Sequence, residues 1–182
     1  MLLRSLQFVF FTIGFSIPVF AVSDHSAAPF QGVLPKDAIP DDKNFAVASD
    51  GRHVRKGTFK ALRDNILLLD KFFQLPVGEN RQEKIMGCAK AIQQFSPDLK
   101  SIGIFDWFFT ISEWLQDDKK IGRIVATLAY LKGVGCQLDK VDKVLIKDRL
   151  QKLKTTSNTP EIQILIADVL KSLNHCKKEG DL

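Results

Sequence analysis

Asp106, Thr110 and Glu113 stand four and three residues apart in a stretch otherwise dominated by Phe105, Trp107, Phe108, Phe109, Ile111 and Trp114. On a helix those spacings place both carboxyl groups along one side of an apolar surface. Glycoside hydrolysis uses two carboxylates flanking a cleft, one held protonated by burial and the other ionised. One reading is therefore a cell-wall glycan hydrolase using Asp106 and Glu113. The simpler expectation is that the acids form the wet edge of an amphipathic helix, or pair with Arg123 or a lysine of a neighbouring helix.

The three cysteines, Cys88, Cys136 and Cys176, include no C-x-x-C redox motif. Cys136 and Cys176 fall at the ends of two helical segments that run parallel in an up-down-up arrangement, so a Cys136–Cys176 disulfide is expected. Cys88 lies on an apolar stripe and is expected to behave as a small buried hydrophobe. His25, His53 and His175 lie apart from it and from each other, so neither a Cys-His dyad nor a metal site is expected. Phosphate-binding loops, dinucleotide-binding glycines, nucleophile elbows and calcium loops are lacking as well, and no cofactor is expected.

Lys140, Lys143, Lys147 and Lys154 recur on one side of a segment whose other side carries Leu138, Val141, Leu145, Ile146, Leu150 and Leu153. Such a stripe suits an acidic protein partner or an anionic lipid surface. Trp107 and Trp114 are candidate anchors for the same partner, because tryptophan concentrates binding energy at interfaces.

These residues need elements to position them, and the spacing predicts helices almost throughout. Phe59, Leu62, Ile66, Leu69 and Phe73 mark the first, ended by Pro76 and Gly78. A second is expected from about Glu79 to Phe95, with Ile85, Cys88, Ile92 and Phe95 inward. Ser96, Pro97 and Asp98 then open a third over Leu99 to Leu115. Asp117 and Asp118 cap a fourth, carrying Ile121, Ile124, Val125, Leu128 and Leu131 and ended by Gly133 and Gly135. A fifth runs from Leu138 to about Leu153, and Asn158, Thr159 and Pro160 open a sixth. No period-two run is long enough to mark a strand. The fold class is all-α, a single bundle of five or six helices over residues 56–182.

Ahead of the bundle, Arg4 precedes an uncharged, mainly apolar run from Leu6 to Phe20, and Val19 and Ala21 provide the small residues of a cleavage site. Residues 1–21 are thus expected to be a signal peptide, and residues 22–55, with Pro29, Pro35 and Pro40, an extended or disordered arm. The apolar run is short of the roughly 20 residues that a spanning helix needs, and Asp106 and Glu113 exclude a span in the aromatic stretch. No transmembrane helix is expected in the mature chain, which is expected to be periplasmic or secreted.

Of 182 residues, 26 are Lys or Arg and 21 are Asp or Glu, for a net charge of +5. That modest excess, together with export, argues against a nucleic-acid partner. Fourteen Phe against one Tyr assign most of the aromatic material to the core. The leading expectation is an exported, non-catalytic binding module, of the inhibitor, immunity-type, chaperone or effector kind, acting on a macromolecular partner. A carrier of lipid or another apolar small molecule is the second, and the hydrolase the third.

Overall fold

The computed structural model describes residues 29–35, 45–47, 51, 53–55, 57–116 and 120–176. The expected signal peptide, most of the expected arm and the expected caps Asp117 and Asp118 lie outside the described residues. Two three-residue strands come first, β1 (Phe45–Val47) and β2 (His53–Arg55), paired antiparallel with Ala46 opposite Val54. Three residues are too few for a period-two signal, and for that reason the pair is not legible in the spacing.

Seven α-helices follow among the described residues, five long and two short: α1 (Gly57–Phe72), α2 (Glu79–Gln94), the short α3 (Ser96–Ser101) and α4 (Ile111–Trp114), α5 (Ile121–Val134), α6 (Lys140–Thr156) and α7 (Pro160–His175), and a π-helical turn spans Ile104–Phe108. The described chain is mostly helical, as an all-α fold requires. On α2, Ile85, Cys88 and Ile92 are buried, and Pro160 opens α7, both as the spacing predicts.

The expected third helix is not continuous. Its chain stops at Ser101, because Gly103 takes a left-handed conformation (φ 66°) that L-residues rarely adopt within a helix. The π-helical turn follows, then extended Phe109, then α4, whose N-terminus is capped by Thr110 Oγ1 accepting from the Glu113 amide at 3.1 Å. Ser96 does not cap either: its hydroxyl donates back to the Ile92 carbonyl at 2.8 Å.

Helix α5 is the centre. Every residue from Ile124 to Leu131 is buried, and α1, α2, α3 and α7 all pack on it. A helix apolar on all sides needs that much cover. Helix α6 meets α7 and α4 and contributes only Ile146, Leu150 and Leu153 to the core.

Part of the chain expected to be an arm is packed. Gly32 donates to the Gly87 carbonyl (3.3 Å), and the buried Asn65 holds Val33 by both of its backbone groups, accepting from its amide (3.0 Å) and donating to its carbonyl (2.7 Å). A Cβ on Gly32 would collide with Asn65 Oδ1 and the Cys88 backbone, so only glycine allows the segment to lie this close to α1 and α2.

The N-terminus of α7 is tied to α2 by a buried, two-pronged ion pair. Arg81 Nε and Nη2 donate to the two carboxylate oxygens of Glu161 at 2.9 and 3.0 Å, with only 3% of the Glu161 side chain exposed. Arg81 also donates to the Leu75 carbonyl and lies over the Phe73 ring. Removing one partner strands a buried charge, whereas removing both does not. Glu161→Ala is expected to cost about 3–5 kcal/mol in urea unfolding, and the double variant Arg81→Met/Glu161→Leu much less. Equal losses would show that the pair is not desolvated as described.

Candidate functional site

The break after Ser101 shapes a groove among the described residues. The π-helical turn turns Phe105 and Asp106 toward α6, and α4 adds Ile111, Ser112 and Leu115. Asp142, Leu145, Ile146, Asp148, Arg149 and Lys152 of α6 form the opposite wall, and the groove measures about 360 Å³. Arg149 reaches across it, donating to Ser112 Oγ at 3.2 Å, and Lys152 pairs with Asp148 at 2.7 Å. Inserted π-helical turns recur at functional sites.

Asp106 and Thr110 line this groove, but Glu113 does not. The two carboxylates were expected on one side of a continuous helix. The π-helical turn that carries Asp106 and the extended Phe109 after it break that helical register, so the spacing of seven no longer sets them side by side. Asp106 still matters to its surroundings: with burial as the larger cause, its charge helps push the Tyr130 hydroxyl above its ordinary proton affinity.

Trp114 is also placed differently from expectation. It is 3% exposed, stacked edge-on against Phe105 (5.2 Å) and tilted on Phe109 (4.6 Å), with the Arg123 guanidinium 5.5 Å from its ring centroid. A ring enclosed in this way presents almost none of its surface to solvent. Trp107 belongs to the π-helical turn, and its side chain lies outside the described residues.

Of the lysine stripe, Lys140 and Lys154 are exposed and Lys147 is half-buried. Lys143 turns back instead, donating to the Cys136 carbonyl at 3.1 Å, while Lys100 donates to the Gln137 carbonyl at 2.6 Å. Both ammonium groups therefore serve the carbonyls just past the end of α5, where cations are favoured.

The apolar side of α6 is wider than its neighbours can cover. Val141, Val144 and Leu145 are 69, 67 and 63% exposed. They lie at i, i+3 and i+4 and form one contiguous strip beside the groove. Spacing identifies these residues as apolar but not as uncovered, and Val144 was not part of the expected stripe.

Cys136 and Cys176 are joined, with Cα atoms 5.2 Å apart, linking the turn after α5 to the end of α7. No group of His, Cys, Asp and Glu among the described residues has the arrangement of a metal site. No family model, curated protein or solved structure matches the chain.

Cys88 is a free, fully buried thiol, pushed up to about 12 by burial. At pH 8 it is both neutral and inaccessible. Ellman titration of the unreduced native protein is expected to count no reactive thiol, and titration after denaturation one. A thiol that reacts at once in the native protein would contradict this burial.

Proposed function

We propose that the protein is an exported, non-catalytic helical module that binds a protein partner through the outer face of α6. The observation that carries this reading is the exposed strip Val141, Val144 and Leu145, beside a groove of about 360 Å³. Contiguous apolar surface rimmed by polar residues is a mark of interaction sites. Six basic residues against two acidic ones on α6 select the partner's chemistry. An amphipathic segment with apolar side chains for the strip and carboxylates for Lys140, Lys147 and Lys154 fits this surface.

The Cys136–Cys176 bridge supports an oxidising compartment, the periplasm or the exterior. No helix among the described residues is long and apolar enough to cross a membrane. The separation of Glu113 from the groove removes the geometric support for a two-carboxylate hydrolase.

A photo-crosslinking residue placed at position 145 in the native host tests the proposal, with position 90 on the exposed side of α2 as control. A discrete protein adduct at 145 and none at 90 is expected. Leu145→Glu should weaken binding of the captured partner about tenfold or more, with the helical circular dichroism unchanged. A folded protein that gives no adduct at 145 overturns the reading. Flotation with anionic vesicles, lost in the same variant, would overturn it in favour of a lipid surface.

A further inference from the structure

Residues 29–34 have no regular secondary structure of their own, yet they lie on α1 and α2 in the way a recognised peptide lies on its receptor. The contacts are made largely through the main chain. The Phe30 amide donates to Glu83 Oε1 (2.9 Å) and the Gly32 amide to the Gly87 carbonyl (3.3 Å). Val33 gives its amide to Asn65 Oδ1 (3.0 Å), and its carbonyl accepts from Asn65 Nδ2 (2.7 Å). A carboxamide that holds both main-chain groups of one residue recognises backbone, whatever side chain that residue carries. Asn65 is fully buried, and its Oδ1 would lose this amide if the segment left, so the cleft favours an occupant.

Side-chain selection is added at two positions. The Phe30 ring meets Phe72 edge-on at 5.2 Å. Gly32 is buried where any Cβ would collide with Asn65 Oδ1, the Cys88 backbone and Ala91. The cleft carries a glycine of its own for the same purpose. A Cβ on Gly87 would collide with the carbonyl and ring of Phe30. Glycine within a helix is unfavourable relative to alanine, and the close approach of Phe30 accounts for one inside α2. The segment contains no cysteine, so no disulfide holds it in place.

We propose that the cleft between α1 and α2 is a peptide-recognition site that residues 30–34 fill as an autoinhibitory segment. Its occupant in trans is a protein segment presenting, in order, an aromatic residue, any residue, glycine and an apolar residue other than proline. Proline is excluded at the last position because that residue must donate its amide to Asn65. The chain's own copy competes from a tether, at an effective concentration on the order of millimolar, and so sets the affinity a partner must exceed. This cleft is separate from the α6 face, and the two readings stand or fall independently.

Fluorescence anisotropy of the labelled heptapeptide Pro29–Pro35 tests the assignment on the full chain carrying Gly32→Leu. There the segment's own side chain ejects it while every residue of the cleft is kept. One peptide is expected to bind per chain, about tenfold or more tighter than to the wild-type chain, whose own segment competes. Gly32→Ala within the peptide should weaken binding about tenfold or more. Gly87→Ala added to the chain should do the same, with the helical circular dichroism unchanged. Absence of binding to the folded variant, equal binding to the wild-type chain, or indifference to either alanine would overturn the proposal. If Gly32→Leu does not fold, a protease site between Pro35 and Phe45 of the wild-type chain takes its place. The cut protein is expected to exchange its segment for the labelled peptide, and a cut protein that takes up no peptide overturns the proposal.

Discussion

The burial of α5 around its whole circumference is the constraint on which the rest of this protein depends. Water is excluded from Ile124 through Leu131, so α1, α2, α3 and α7 must each present an apolar stripe to it. The two remaining helices occupy the outside and share what cover is left, and α6 buries three residues while three of its other apolar side chains stay in water. The exposed strip and the groove beside it lie where that cover ends.

The ends of α5 are secured by different means. At its start, the Asp70 carboxylate accepts from the Gly122 amide, which binds α1 to the first turn. Past its end, Lys100 and Lys143 donate to carbonyls of the turn that carries Cys136, and the disulfide closes that turn onto α7. A covalent link spanning 40 residues restricts the unfolded chain and, in the chain-entropy view, adds roughly 3–4 kcal/mol. Helix α6 is enclosed within this loop. The exposed apolar strip therefore rides on a segment whose two flanks are covalently joined, and this limits how far it can move without unfolding.

The positions of α1, α2, α5, α6 and α7, the Cys136–Cys176 pairing and the buried state of Cys88 were legible in the sequence, because each follows from apolar periodicity or from where helices end. The parts that were not legible share a physical reason. Gly103 was one glycine in an otherwise helical pattern, and only its left-handed conformation reveals that Leu99 to Leu115 is broken there. Asn65 is fully buried, with its partners supplied by Val33, from a segment that spacing reads as loose, and by the Ala61 carbonyl of its own helix. Trp114, expected at a surface, is covered, and Leu145, on the apolar side of its helix, is exposed. Which apolar side chain is covered depends on the neighbours that reach it, and a single helix's periodicity carries no information about them.

Native mass spectrometry of the protein purified from its own host without reductant tests the central claim, that the α6 face holds a protein partner, most directly. The account predicts a chain beginning after Ala21, two hydrogens lighter than its reduced mass, carrying a second protein that is lost in the folded Val141→Glu/Leu145→Glu variant. A full-length, reduced and unaccompanied chain, or a partner that the variant retains, would contradict it.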